Sequence, residues 1–523
     1  MSCTIQRNLR NKSYLLYCTT IHVLKKQSFL NYYHKIQKMR KIEAVSSGNF
    51  KPEKHYYTKV FNAQVHPLIS FFMNLNIDSI IARYCHLHPN VDKKILRSMI
   101  TYQPEFVKWA GADLFYVTTN KGNRKMVIIE TNSSPSGQKS MPLLDEHQEY
   151  GGYKELITRV FIPAMKEKKL PKGVLAVLYD KNYMEVSGYA ECLAEQMKEI
   201  VYIVPCFNKE HNSNMKWEEG MLYINIKNTG SKSSKINWKP VRAAMRYVTQ
   251  KPWNRIPLQT KTMIFNPIVV CLAGGRNKMV AAKAYDLLNS DLAGTGLQIN
   301  VPETIYDISK NEIPMWVKRF KDHAVVKVPY SNAGQGVFTI TNEKELKEFM
   351  DLPCEYEQFI VQSLIGDYSW SSTGREGKFY HIGTIPNKQG EIYAADLRMM
   401  VGAGKDRLIP VALYARRARE PLKSIFPKNQ TSWDMLGTNL SIKEGENQWS
   451  SDTSRLIIMD RKEFNTLGLG IDDLIDAYVQ TILAVIAIDK MAKRLINEQG
   501  VFRKKLFKSL NTDAQLLNEI LEK

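Results

Sequence analysis

The sequence predicts an α/β chain of α+β character, a parallel-sheet domain joined to antiparallel strands, and three stretches predict it. "GVLAVLYD" (173–180), "SGYAECLAEQMKE" (187–199) and "IVYIVPC" (200–206) read strand, helix, strand, which begins a parallel sheet. "ADLFYVTT" and "MVIIETN" flank a polar "NKGNRK" turn and read as a hairpin. "AVVKVPYSNAGQGVFTIT" (324–341) reads strand, Gly-rich turn, strand.

The chain of 523 residues is long enough for two to four domains, and 44% hydrophobic residues can build sizeable cores. Residues 1–42 carry nine Lys or Arg and no Asp or Glu. That composition suits a mitochondrial transit peptide, a basic disordered tail, or an upstream extension with the working start at Met39. The formal net charge is +21, but so much of it sits in this leader that a nucleic-acid partner is not expected. No run of about 18 apolar residues occurs, so no transmembrane helix and no membrane partner are expected. Seven cysteines without a CxxC spacing suggest reduced, intracellular thiols. Cys85, His86 and His88 in "YCHLHP" lack a second ligand pair, so a packed segment is favoured over zinc. The expected location is intracellular: cytoplasmic, or mitochondrial if the leader is a transit peptide.

Residues 53–108 look helical, and a helix follows the hairpin at 149–168. A Lys/Ser/Asn-rich stretch at 228–240 breaks the pattern. "GGRNKMVAAKAYDLL" gives a glycine turn and a helix, "EKELKEFM" (343–350) a helix, and "EQFIVQSLIG" (357–366) a strand. Antiparallel strands are expected over 378–419 and a buried helix over 472–495. The low-pattern segment 421–455, with Trp433, Asn439 and Trp449, looks like loop.

The chemistry gathers at a few motifs. In "KMVIIETNSSPSG" (125–137) Glu130 and Asn132 sit at i and i+2 on a strand, so both project from one face. A carboxylate and an amide oxygen side by side suit Mg²⁺, which combines such ligands with nucleotide phosphates. In "VVKVPYSNAGQGVF", Lys327 lies on a β-branched strand before the turn of Ser331, Asn332, Ala333, Gly334, Gln335 and Gly336. Small residues let backbone N–H groups approach phosphate oxygens, and a lysine beside them adds compact positive charge. No GK[ST] follows, so this is not a Walker A loop. Gln362, Ser363 and Leu364 could supply the polar edge that an adenine ring needs, and Asp367 could accept from ribose hydroxyls. Arg398, Arg416, Arg417 and Arg419 provide cations on strands.

Together these pieces resemble the ATP-grasp superfamily, of the carboxylate–amine ligase type. The resemblance covers about 173–440 and about 105–140. It includes Lys278 at a helix start in "GGRNKMVAAKAY", "PET", the Lys327 strand and its loop, "DLR", and "GTNLS". The family expects its metal-binding strands after these segments, but here "GADLFYVTTNKGNRKMVIIETNSSPSG" precedes them. The chain therefore looks circularly permuted, as eukaryotic glutathione synthetase is, without being a close match to that enzyme. The resemblance implies five segments: a leader (1–42), helices plus metal-binding strands (43–160), a Rossmann-like preceding α/β domain (161–270), the nucleotide-binding subdomains (271–455) and C-terminal helices (456–523). It implies ATP and Mg²⁺ as cofactors, with Asp113, Glu130 and Asn132 as metal ligands and Asp460 and Asp396 as further candidate carboxylates. Lys278 and Lys327 would clamp phosphates under the 331–337 loop. Arg398 and one of Arg416 or Arg417 would stabilise an oxyanion. The implied reaction joins a small-molecule carboxylate to an amine through an acylphosphate; a small-molecule kinase or a non-catalytic ATP-binding protein are the alternatives. Acceptor loops are expected at 205–260 and 421–455. Dimers are common among such enzymes, so a homodimer is among the expectations.

Overall fold

The computed structural model describes residues 41–142, 151–207, 214–226, 237–250, 252–331, 336–426, 431–445 and 448–521. The basic leader, and Asn332, Ala333, Gly334 and Gln335 of the Gly-rich turn, lie outside them. Among the described residues the strands form three larger sheets and one small hairpin.

The first sheet contains β1 (Glu43–Val45), β4 (Val174–Tyr179), β5 (Val201–Pro205), β6 (Met215–Glu218), β7 (Met221–Asn225), β8 (Trp238–Tyr247) and β9 (Met263–Phe265). Its order is β1-β5-β4-β8-β7-β6, with β9 beside β8. The pairs β5–β4, β4–β8 and β8–β9 are parallel. Both faces of β4 are buried, as the unbroken apolar run "VLAVLY" requires. The helix Tyr183–Met197 makes the crossover to β5. The expectation of acceptor loops throughout 205–260 is corrected here. β8 lies within that range and sits at the sheet centre, because "VRAAMRY" is apolar enough to be buried between β4 and β7.

The second sheet contains β2 (Trp109–Thr119), β3 (Arg124–Ser133), β14 (Thr373–Gly374), β15 (Gly377–His381), β16 (Ala395–Ala403), β17 (Leu408–Arg417) and β20 (Leu456–Ile457), in the order β14-β15-β2-β16-β17-β20, with β3 beside β2. The early hairpin thus completes a sheet whose other strands come some 250 residues later, the span from Asp113 to Arg398 being 285 positions. The third sheet, of four strands, contains β10 (Thr304–Ser309), β11 (Ala324–Lys327), β12 (Val337–Ile340) and β13 (Gln358–Ser363), in the order β10-β13-β11-β12. It has its own core around Phe320, Val326, Phe349 and Phe359.

The segment 421–455 is not all loop. It holds a helix, Ser432–Leu436, and the hairpin β18 (Ser441–Gly445) and β19 (Gln448–Ser451). The expected apolar helix spans Ile471–Leu495 and is buried along most of its length. It is tied to β3 by Met126 N–H, which donates to Asp476 (2.8 Å). No helix among the described residues is long and apolar enough to cross a membrane.

Candidate active site

A cleft of about 630 Å³ opens between the second and third sheets and the carboxyl end of the first. Its floor is a row of side chains across the second sheet. Antiparallel register sets Glu130 opposite Asp113, Asp113 opposite Arg398, and Arg398 opposite Tyr414. Directly opposed residues project from the same face, so register alone lines these four up. A bulge at Ile129 interrupts the β2–β3 ladder next to Glu130. The bulge turns the Ile129 carbonyl out of the ladder, where it accepts from Lys327 Nζ (3.2 Å).

Lys327 arrives from β11 and Lys278 from the start of the helix Lys278–Asp291, which Asn277 caps by accepting from Val280 N–H (3.1 Å). Gly274 lets the preceding turn pack on this helix, since a Cβ there would meet the Ala281 Cα at 2.9 Å. Lys278 Nζ donates to the Ser331 carbonyl (2.9 Å) and hydroxyl (3.1 Å) and stands 3.6 Å from Glu130. Burial, together with like-charged Lys278, pushes the Lys327 ammonium down to about 8, while Glu130 opposes the fall. Gly336 adopts a positive φ of 70°, and its carbonyl accepts from Val328 N–H (2.8 Å), closing the described end of the turn.

Several expected residues stand differently. Both Asp113 oxygens are claimed by guanidinium groups: Arg398 binds them at 2.5 and 2.6 Å, and Arg416 reaches Oδ2 at 2.9 Å. Burial raises this carboxyl, but the two arginines hold it well below the usual carboxylate range. The charge of Asp113 is thus matched by guanidinium groups on both oxygens, with one donor on Oδ1 and two on Oδ2. Arg416 also pairs with Asp396 (Nε–Oδ1 2.9 Å), so Asp396 is equally engaged. Arg398 and Arg416 are thus charge-balanced by two aspartates, and both line the cleft. Arg417, the next residue along β17, points the other way and lies over the Tyr393 ring at 4.4 Å. Asp460 accepts from Lys462 and Glu463 N–H groups as a turn cap.

At the proposed adenine edge, Gln362 donates through its side chain to Thr304 Oγ1 (2.8 Å), and Ser363 N–H donates to the Glu303 carbonyl (2.9 Å). Both residues line the cleft. Leu364 does not serve as an edge, because its N–H and C=O both bond to Ser372. Asp367 Oδ1 accepts from Ser369 N–H and Oγ at 2.9 and 2.5 Å, and Asp367 does not line the cleft.

Asn132 Oδ1 accepts from Arg276 (2.9 Å), while its Nδ2 is buried with no partner among the described residues. Among those residues no group of three or more His, Cys, Asp or Glu is arranged to hold a metal. Glu130 is accordingly the one carboxylate of the expected set that faces the cleft without a guanidinium on it. A single carboxylate beside phosphates is a common way to hold Mg²⁺, which keeps several of its waters.

Sequence reasoning missed the wall formed by the first sheet: Asp180, Lys181, Asn182, Tyr247 and Gln250. From β4 the chain crosses to β5 on one side and β8 lies on the other, and a ligand crevice forms where such connections diverge. "LYDKN" at the end of a parallel strand was the signal available. Also missed was Glu185, fully buried, which accepts from Gly137 N–H (2.7 Å), Gln138 N–H (2.8 Å) and Ser136 Oγ (2.6 Å). It holds the turn that follows Asn132.

No family model matches the chain, and no curated protein matches it. Solved structures similar to it include a glutathione synthetase-like effector from Globodera pallida (TM-score 0.36, 10% identity, 68% of this chain and 86% of that one). Others are a RimK domain ATP-grasp protein from Sphaerobacter thermophilus (0.26, 12%, 48% and 92%) and a D-alanine–D-alanine ligase from Helicobacter pylori (0.24, 14%, 46% and 90%).

Proposed function

We propose that this chain is an ATP-grasp ligase of permuted chain order, which uses ATP and Mg²⁺ to join a small-molecule carboxylate to an amine through an acylphosphate. One observation carries the reading: Lys278 and Lys327, from two different elements, converge on Glu130, with Lys278 3.6 Å from the carboxylate; Lys327 and Glu130 line the cleft, and all three line a small cavity that shares those two with it. Two lysines beside a lone carboxylate suit a polyphosphate and its divalent cation and have little other use in a buried place.

In this reading Lys327 and Lys278 bind phosphate oxygens, and their fixed positions orient the terminal phosphoryl group for transfer. Glu130, helped by the Asn132 amide, would hold Mg²⁺, which when bound neutralises charge on the phosphates. Val325, Ile129 and Ile365 give the cleft apolar surface for a base, with Gln362 and Ser363 at its edge. The Asp113–Arg398–Tyr414 row holds the Ser136 carbonyl, to which Tyr414 Oη donates at 3.1 Å, and so positions the turn after Asn132. The first-sheet wall would receive the acid. No side-chain nucleophile is needed.

The test is a screen of the purified chain for ADP release, crossing carboxylic acids with amines in the presence of Mg²⁺. ADP release that requires both an acid and an amine is the expected result. ADP release on a hydroxyl acceptor with no amine would replace this reading with a kinase.

A further inference from the structure

The cations of the cleft differ in whether the protein itself balances them. Arg398 and Arg416 are matched by Asp113 and Asp396. Lys278 and Lys327 face Glu130. Lys139 lies over the Tyr57 ring at 4.8 Å and feels the buried carboxylate of Glu185. Lys181 is the exception: among the described residues it makes no hydrogen bond and no ion pair, although it lines the cleft. Its neighbour Asp180 makes no ion pair with it: Oδ2 accepts from Thr249 N–H (2.9 Å) and Gln250 N–H (2.7 Å) and pairs with Arg255 (3.2 Å), while Oδ1 is buried with no hydrogen-bond partner among the described residues.

We propose that Lys181 binds a second carboxylate of the acid substrate, remote from the one that reacts, so that this substrate is a dicarboxylate. The proposal rests on the ligase reading above. Lys181 stands at the carboxyl end of β4, at the crevice between β4 and β8, on a different element from the lysines assigned to the nucleotide. Asn182, which donates to Tyr247 Oη at 2.9 Å, and Gln250 line the same wall and offer neutral hydrogen-bonding groups beside the ammonium, while the nearby Arg276 guanidinium donates to Asn132 Oδ1 and to the Ser133 and Ser134 carbonyls. One ammonium with amide neighbours matches a singly charged carboxylate. Burial, then the like charge of Arg276, push the Lys181 ammonium down to about 8, while Asp180 and Glu130 oppose the fall. A buried charge without a partner is costly, and a substrate anion removes that cost on binding.

The experiment is calorimetric titration of the full chain with glutarate and with butyrate, each with and without Mg²⁺ and AMP-PNP. Glutarate is expected to bind at least about tenfold tighter than butyrate, since tenfold is a modest return for one buried charge pair. Lys181→Ala should erase that advantage and leave butyrate and AMP-PNP affinities unchanged, and Lys181→Arg should keep part of it. Equal affinity for the two acids, binding of neither, or an advantage that survives Lys181→Ala overturns the assignment. AMP-PNP binding without a dicarboxylate advantage removes the Lys181 assignment alone. A glutarate advantage lost in Lys181→Ala, but with no AMP-PNP binding, removes the ligase reading instead.

Discussion

Glu130 Oε1 and Lys278 Nζ stand 3.6 Å apart, one at the mouth of an early strand and the other at the head of a helix well over a hundred residues later. Their pairing fixes what Glu130 can do. It is partly open to the cleft, with 27% of its side chain exposed, and is placed for a ligand rather than for packing.

Glu130→Gln should therefore lower turnover by at least about a hundredfold, the scale at which removing charge stabilisation is felt. Its melting temperature should stay within a degree or two of the parent. Steady-state ADP release and a thermal melt measure both. Turnover at the parental rate in ordinary Mg²⁺ would take Glu130 out of the site.

Asp113→Asn should behave in the opposite way. It removes the carboxylate that balances Arg398 and leaves two buried guanidiniums with one aspartate. Breaking a buried ion pair on one side costs about 3–5 kcal/mol. Chemical denaturation in EDTA should show that loss, whereas a residue serving only as a metal ligand would leave metal-free stability alone.

Nucleotide affinity should fall as pH rises. Lys327 is pushed down to about 8, so it loses its charge near pH 8 in the free protein, where an ordinary lysine would stay charged. A neutral lysine attracts no phosphate. AMP-PNP dissociation constants measured between pH 7 and 9.5 should rise in the parent and rise less in Lys327→Met.

Asp476 is buried in the helix Ile471–Leu495, and burial pushes its carboxyl up to about 7. The folded state then holds its proton up to about pH 7, while the unfolded chain releases it near 4, so stability falls as pH rises through that window. Asp476→Asn keeps an acceptor for Met126 N–H and carries no charge. It should stabilise the protein at pH 8 by up to about 4 kcal/mol, three units at 1.36 kcal/mol each. Denaturation curves at pH 5 and pH 8 should converge in the variant.

The hairpin carrying Glu130 and the lysine strand were legible because each is a local pattern. Strand alternation set Glu130 and Asn132 on one face, and a lysine in a β-branched run needs a reason to be there. The engagement of Asp113 was not legible, because it depends on β16 pairing with β2 across 285 positions, a register that no local spacing encodes. Leu364 and Asp367 looked available in sequence, but a turn formed eight residues later took the Leu364 backbone, and Asp367, bonded to Ser369 through Oδ1, lies off the cleft lining. Lys181 and Asn182 escaped notice because their meaning comes from which strands flank β4, and β8 had been hidden inside an expected loop.

The most direct test of the central claim is a double-mutant cycle on Mg²⁺-dependent AMP-PNP binding, with Glu130→Gln, Lys327→Ala and the double variant measured by calorimetry. If the early carboxylate and the late lysine hold one nucleotide and its cation, their effects should be coupled by about 1–3 kcal/mol. Strictly additive effects, or an affinity that neither substitution changes, would contradict a shared site.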